Sequence, residues 1–145
     1  MKINDKKIYR IIDANLNRSR EGLRVCEEVL RFVFDDALLS ARFKRARHKI
    51  AAIIKDLDLN SDLLCVSRNT KEDVGRPTQA TEKERRDVKD IFAANIQRVK
   101  ESVRVLEEFF KIIDHGCSQS FKTLRFRIYN LEKKTYERFT ALRNN

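Results

Sequence analysis

The chain is poor in the residues that make turns, with 3 glycines and 1 proline among 145 residues. Together with 37% charged residues, this scarcity points to long helices rather than many short strands. No apolar run approaches the ~18 residues that a membrane span requires. The opening stretch MKINDKKIYR lacks the apolar core of a signal peptide. We therefore expect a cytoplasmic, all-α protein that forms a single domain over residues 1–145.

Several common functional signatures are also missing. Cys26, Cys65 and Cys117 are odd in number and far apart, which excludes a zinc ribbon or a full disulfide framework as the default. There is no G-x-x-x-x-G-K-[ST], G-x-G-x-x-G, G-x-S-x-G or H-E-x-x-H motif. An enzyme built on this chain would have to bind phosphates with side chains rather than with a glycine loop.

Positive charge, by contrast, is in excess. The formal net charge is +10. Such a charge favours an anionic partner, which can be a nucleic acid, an anionic membrane surface or a phosphorylated small molecule. Charge alone does not choose among the three.

The strongest pattern is an internal repeat. Seven residues recur eighty positions later: Asn15, Arg18, Glu21, Arg24, Val25, Glu27 and Glu28 answer to Asn95, Arg98, Glu101, Arg104, Val105, Glu107 and Glu108. A second match, at an offset of seventy-eight, joins Phe43-Lys44-x-x-Arg47 to Phe121-Lys122-x-x-Arg125. Repetition at a fixed offset indicates repeated architecture. We expect two helical hairpins, at about 4–57 and 81–142, related by a pseudo-twofold axis in a four-helix assembly. A long central loop, 58–80, separates them.

Apolar periodicity sets the expected helix limits. One stripe, typical of a packed amphipathic helix over about 4–34, contains Ile8, Ile12, Leu16, Ser19, Leu23, Cys26, Leu30, Val33 and Phe34. Gly22 costs about 1 kcal/mol in a helix interior relative to alanine, so it suggests close approach of a backbone or a ligand. The second helix is expected from a cap at Ser40 to residue 57. The third starts at the capping box Thr81-x-x-Glu84 and ends at His115-Gly116, and the fourth spans 118–142.

Some polar side chains fall where apolar ones are expected. Arg47 and Arg125 lie inside apolar stripes and need carboxylate partners, for which Glu27 and Glu107 are the candidates. Each arginine can form a buried pair or face a ligand. Asn15 and Asn95 can be satisfied core amides or can bind the polar edge of a ligand. Arg24, Glu28 and Arg31 have the i+3 and i+4 spacing of a solvated surface lattice.

Several stretches of the chain resemble one known family. They are the run RIIDANLNRSREGLRV at 10–25 with Glu27-Glu28, the pair Arg47-His48, the loop Ser67-Arg68-Asn69-Thr70 with Asp73-Val74-Gly75, the repeat from Ala94 to Glu108, and Leu124-Arg125-Phe126-Arg127 with Tyr129. The resemblance is to the small all-helical hydroxymethylpyrimidine phosphate kinases of thiamine biosynthesis. That domain also occurs fused ahead of a thiamine-phosphate synthase barrel.

The resemblance implies a specific reaction. ATP would phosphorylate 4-amino-5-hydroxymethyl-2-methylpyrimidine phosphate to its diphosphate, with Mg²⁺ as cofactor. It also implies a homodimer and a functional link to thiamine-phosphate synthase. No barrel follows in this sequence, so synthase activity itself is not expected.

We hypothesise residue roles on this basis. Arg18, Arg47 and Arg68 would bind phosphates in the catalytic site, with Asp73 holding magnesium and Glu28 as a second metal ligand. The wider substrate and phosphate set is Asn15, Arg24, Glu27, Asn95, Arg98, Arg104, Glu107 and Arg125. The central loop would close over the ligand. Phosphoryl transfer to a phosphate monoester needs alignment and charge neutralisation more than a strong base, which suits an arginine-rich helical site.

Two alternatives stay open. The chain can be a non-catalytic module that binds the pyrimidine phosphate or associates with thiamine-phosphate synthase. A basic nucleic-acid-binding helical protein ranks last, because positive charge is interleaved with glutamates on the same helices and stacking aromatics are few.

Overall fold

Five α-helices make up the computed structural model, which describes residues 5–59, 61–77 and 84–145. They are α1 (Asp5–Glu28), α2 (Ala37–Ile54), α3 (Ser61–Val66), α4 (Val88–Phe110) and α5 (His115–Arg143). These ranges contain no β-strand. The all-α prediction is confirmed, and the short α3 is an addition, since it lies inside the stretch predicted as a loop.

Aspartates, rather than the predicted serine and threonine, begin α2, α4 and α5. The side chains of Asp36, Asp87 and Asp114 accept hydrogen bonds from backbone N–H groups three residues later. An N-cap of this kind is worth about 1 kcal/mol, and its negative charge complements the helix dipole. A helix therefore starts directly after each aspartate.

Three predicted helix limits are corrected as a result. Ser40 lies within α2 and donates to the carbonyl of Ala37 rather than capping. Glu84 precedes α4, which begins only at Val88; Thr81 lies outside the described residues. His115-Gly116 opens α5 instead of ending the helix before it.

One turn of π-helix, Val29–Val33, directly follows α1. The extra residue in this turn changes the phase of the apolar stripe. Leu30 and Phe34 remain buried, but Val33 turns outward and is 53% exposed, so its predicted place in the core was wrong. Asp35 then adopts a left-handed backbone conformation, with φ of 51°, and the chain reverses into α2.

The core lies among the four long helices. Helix α1 packs against α2 and α4, and α5 packs against the same two. Helices α1 and α4 approach each other closely at Gly22. A Cβ atom there would lie 2.6 Å from Cγ2 of Val99 and 3.0 Å from the carbonyl oxygen of Asn95. The predicted close approach at Gly22 is confirmed, and the neighbour is a helix backbone.

The two halves differ where α2 and α5 end. Helix α5 runs on to Arg143, and its Tyr136 and Phe139 pack on Phe92 of α4, with ring centroids 5.6 and 5.9 Å apart. Helix α2 stops at Ile54, and the chain continues through α3 into segment 67–73. The N-terminal half of α1 is therefore flanked by an irregular loop, whereas Phe92 in the N-terminal half of α4 is covered by the end of α5.

Candidate functional site

A cleft of about 720 Å³ lies between the N-terminal half of α1 and the loop that follows α3. Four cations line it: Lys7, Arg10 and Arg18 from α1, and Arg68 from the loop. Within the described parts of the chain, the three α1 cations make no hydrogen bond or ion pair with another residue. Asp13 and Asp73 are the two lining carboxylates. Positive charge therefore exceeds negative charge, as an anion-binding site requires.

Arg68 is held by Asp13 across 55 positions of sequence. Its Nε and Nη2 atoms donate to the two carboxylate oxygens of Asp13 at 2.5 and 2.9 Å. The hydrogen bond from Arg68 and the charge of Asp13 together raise the pKa of the guanidinium. The side chain of Asp13 is 10% exposed, whereas that of Arg68 is 43% exposed. The loop is thus fastened to α1 by a two-point ion pair.

Asn15 lies in the same cleft, and its nitrogen is already satisfied. Nδ2 of Asn15 donates to the carbonyl of Ile11 at 2.8 Å, and Nδ2 of Asn95 makes the same bond to Ile91 at 2.8 Å. The interpretation as satisfied amides therefore holds for both nitrogens. Asn15 lines the cleft, but Asn95 does not.

The structure does not bring the two proposed metal ligands together. Asp73 lines the cleft and accepts a hydrogen bond from the backbone N–H of Gly75 at 2.9 Å. Glu28 pairs instead with Arg24 on the surface of α1, at 2.9 Å, and neither residue lines the cleft. Among the described residues, no group of three or more His, Cys, Asp or Glu side chains is arranged to hold a metal. Mg²⁺ bound with nucleotide phosphates needs only one or two carboxylates, and Asp73 fits that pattern.

Glu27 and Glu107 each pair with the arginine from the adjacent helix. Arg47 lies 3.1 Å from Glu27, and Nε of Arg125 lies 2.8 Å from Glu107. Burial by itself would raise the pKa of Glu107, but the hydrogen bonds and charges of Arg125 and Arg104 outweigh burial and lower it. The predicted partners are confirmed. None of these side chains lines the cleft, so the structure assigns them a packing contact rather than a place beside Arg18.

A smaller cleft, of about 420 Å³, lies between α4 and α5 and contains Arg104 and Lys100 beside Tyr129. Its cations are already neutralised. Arg104 pairs with Glu107 and Glu108, and Lys100 lies 2.8 Å from Glu132. Arg98, the repeat partner of Arg18, lines neither cleft. Of these two clefts, only the one on the α1 side is lined by cations without an ion pair among the described residues.

Sequence reasoning did not assign roles to Lys7, Arg10, Asp13 or Asn17. Asp13 answers to Ala93, and Arg10 answers to Asp90, so both lie outside the repeat that directed attention to the other residues. What distinguishes Arg10 and Asp13 is a change of character between the halves: Arg10 is matched by an acidic residue and Asp13 by an apolar one.

The cysteines do not contribute nucleophiles to the cleft. All three are free, with Cys26 and Cys117 buried and Cys65 exposed. Burial raises the pKa of Cys26 and, with the hydrogen bond to Asp114, raises that of Cys117 to about 11. Both buried thiols therefore stay protonated at neutral pH.

None of the helices in the described ranges has the length and apolar character to cross a membrane.

Comparisons with known proteins agree on one family. The ThiD2 family model matches residues 10–134. Thiamine-phosphate synthases of Nostoc punctiforme and a Synechocystis species are 39% and 43% identical over 126 residues, which is 86% of this chain but 34% and 35% of the relatives. That of Rhodopirellula baltica is 37% identical over 125 residues, 86% of this chain and 33% of the relative. The chain therefore spans about a third of these relatives. No solved structure matches.

Proposed function

The chain belongs to the ThiD2 family, and on that premise we propose that it works in thiamine biosynthesis, binding a phosphorylated aminopyrimidine and acting alongside thiamine-phosphate synthase. The names of its relatives and the matched length support this broad function best. Each match covers 86% of this chain and about a third of a thiamine-phosphate synthase. The same findings favour a synthase-associated role over any particular reaction.

The cleft on α1 is the observation that carries the proposal. Lys7, Arg10 and Arg18 offer hydrogen-bond donors and positive charge to a phosphate. One guanidinium group can donate to two phosphate oxygens at once. Asn15 and Asn17 lie beside them and can contact the polar edge of the ring. A volume of about 720 Å³ falls in the range typical of small-molecule sites.

Within that function we further propose a phosphotransferase activity, in which ATP phosphorylates hydroxymethylpyrimidine phosphate. Arg18 and Arg68 would neutralise and align the two phosphate groups, since transfer to an ionised monoester depends on positioning and electrostatics. Asp73 is the residue that would hold Mg²⁺, which supplies charge neutralisation on the nucleotide phosphates. Arg47 is left out of this set because Glu27 engages it outside the cleft.

We also propose that residues 1–145 form one domain and that the two hairpins are related by a pseudo-twofold axis. The matched pairs Arg47–Glu27 and Arg125–Glu107 support this symmetry. The chain forms a homodimer and is cytoplasmic, as the resemblance and the sequence suggest.

A competing candidate, nucleic-acid binding, is favoured by one observation. The expectation that charge is interleaved with glutamates is wrong for α2: residues 37–55 contain no carboxylate, and its basic residues are Arg42, Lys44, Arg45, Arg47, Lys49 and Lys55. Apart from Arg47, these side chains have no ion pair among the described residues. Binding to RNA or DNA whose affinity falls steeply between 50 and 200 mM salt would support this candidate.

One experiment separates enzyme from binding module. The full chain is mixed with Mg·ATP and hydroxymethylpyrimidine phosphate, and the diphosphate is measured, with unphosphorylated hydroxymethylpyrimidine as the control substrate. Formation of the diphosphate supports the kinase. Absence of product, together with a ligand-induced rise in Tm, supports the module. Neither product nor stabilisation would remove the proposed function altogether.

A further inference from the structure

Asp13 is the buried carboxylate of the cleft, and both of its oxygens accept hydrogen bonds. It accepts two hydrogen bonds from Arg68 and lies 3.4 Å from Nδ2 of Asn17. A carboxylate this buried, with its two oxygens already engaged by a guanidinium, is poorly placed to contact a phosphate, which it would repel. We therefore look for the role of Asp13 in its contact with Arg68 and the loop that carries Arg68.

The segment that Asp13 holds has few other attachments. Leu64 and Ser67 are buried, and the hydroxyl of Ser67 donates to the carbonyl of Leu64 at 2.6 Å. From Arg68 to residue 77, every residue is exposed. The backbone N–H of Arg68 donates to the carbonyl of Cys65 in α3 at 3.2 Å. The other hydrogen bonds described beyond Ser67 join loop residues to each other, except for the pair from the Arg68 side chain to Asp13. This pair therefore sets the position of Asn69, Thr70 and Asp73 along the cleft.

The pair also orients Arg68 itself. Nε and Nη2 face Asp13, which leaves Nη1 without a hydrogen bond within the described structure. A guanidinium is planar, so fixing two of its nitrogens fixes the direction of the third. A lysine at this position could not be oriented in the same way, because its ammonium has no fixed plane.

We propose that Asp13 is a positioning residue, which aims Nη1 of Arg68 at the phosphate of the ligand and holds loop 68–73 as the second wall of the cleft. This rests on the proposed function for the identity of the ligand, a small phosphate monoester. Ala93 occupies the matching position of the second half. The second half therefore has no counterpart of the Asp13–Arg68 pair, and we expect one such site per chain.

The test uses the full chain with Asp13→Asn, which keeps the shape of the side chain and removes its charge. Asp90→Asn is the matched control, because Asp90 also receives two hydrogen bonds from a guanidinium, that of Arg86, at 2.8 and 3.3 Å, but outside the cleft. The first readout is amide hydrogen exchange over residues 67–76, which needs no ligand. We expect it to become at least about tenfold faster in Asp13→Asn, as loss of a charged hydrogen-bonded pair implies, and to stay unchanged in Asp90→Asn.

The second readout is phosphate discrimination. Affinity is measured for hydroxymethylpyrimidine phosphate and for unphosphorylated hydroxymethylpyrimidine. We expect Asp13→Asn to reduce the ratio of the affinity for the phosphate to the affinity for the unphosphorylated compound by about tenfold or more. General loosening would weaken both ligands equally and would leave the ratio intact. In Arg68→Gln, the added Asp13→Asn change should have no further effect, because Asp13 acts through Arg68.

Unchanged exchange, an unchanged ratio or additive effects in the double variant would each overturn the proposal. If the unmodified chain binds neither ligand, the proposed function fails, and hydrogen exchange alone still decides whether Asp13 holds the loop.

Discussion

Arg125 donates from Nε to Glu107 Oε2 at 2.8 Å, and together these side chains form the more buried of the two arginine–glutamate pairs that join adjacent helices. Glu107 is only 3% exposed as a residue. Arg104 adds a further hydrogen bond to the same carboxylate, at 3.1 Å. A buried carboxylate with two guanidinium partners ties α4 to α5, so its loss is expected to weaken the fold rather than the cleft.

The first prediction concerns Glu107→Gln. The change leaves the Arg125 guanidinium without its counter-charge at a site that excludes most water, at a cost of about 3 kcal/mol in the free energy of unfolding. That corresponds to a fall in Tm of roughly 10 °C for a chain of this size. Glu108→Gln, at the exposed neighbour, should leave Tm unchanged. Thermal melts followed by circular dichroism measure both, and equal Tm values for the two variants would contradict the prediction.

A second prediction follows from the lowered pKa of Glu107. Because its pKa in the folded state lies below the ordinary 4.5, the unfolded state takes up the proton first as the pH falls. The stabilisation is therefore complete above about pH 4.5 and is lost progressively as the pH drops through the folded pKa. Urea unfolding between pH 7 and pH 3 should show a shallower acid decline in Glu107→Gln than in the unmodified chain. Parallel declines would show that other carboxylates dominate.

The third prediction concerns Gly22→Ala. The new Cβ would overlap Val99 and approach the Asn95 carbonyl, and the second contact cannot be relieved by a rotamer change. We expect a net destabilisation of about 1–3 kcal/mol, which exceeds the gain of about 1 kcal/mol in helix propensity.

Gly116→Ala is the matched control for that experiment. Its Cβ would meet only the end of the Asp114 side chain, at 3.3 Å. Its stability in urea should equal that of the unmodified protein or exceed it by up to about 1 kcal/mol, the gain in helix propensity. If Gly22→Ala proved as stable as this control, α1 and α4 would not be as close as the structure has them.

A fourth prediction separates the two halves of the repeat. Arg18 and Arg98 are equivalent in sequence, but only Arg18 lines the cleft. Arg18→Gln should weaken binding of hydroxymethylpyrimidine phosphate by about 10- to 100-fold, the range for a hydrogen bond to a charged group. Arg98→Gln should bind as the unmodified chain does. Calorimetric titration measures both, and equal losses would indicate a composite site built from both halves.

The sequence predicted the parts of the molecule that repeat or alternate. The pairing of Arg47 with Glu27 and of Arg125 with Glu107 followed from charge inside an apolar stripe, because such a charge must find a partner. Helix starts were harder to place: aspartate and serine cap almost equally well, so local sequence does not decide between Asp36 and Ser40. Val33 was misplaced because a π turn shifts the helical phase without changing the composition.

The cleft could not be predicted from periodicity. Asp13 and Arg68 are 55 positions apart, and no local pattern relates them. Their contact depends on α2 ending at Ile54, so that the following loop returns to α1. The repeat directed attention to residues that occur twice, whereas Asp13 and Arg10 have no like residue in the second half.

The most direct measurement is a calorimetric titration of the full chain with hydroxymethylpyrimidine phosphate, repeated with the unphosphorylated alcohol. We predict one phosphate-dependent site per chain, much weaker binding of the alcohol, and loss of the site in Arg18→Gln. Two equivalent sites per chain, equal affinity for the two compounds, or no heat of binding at millimolar ligand would contradict this prediction.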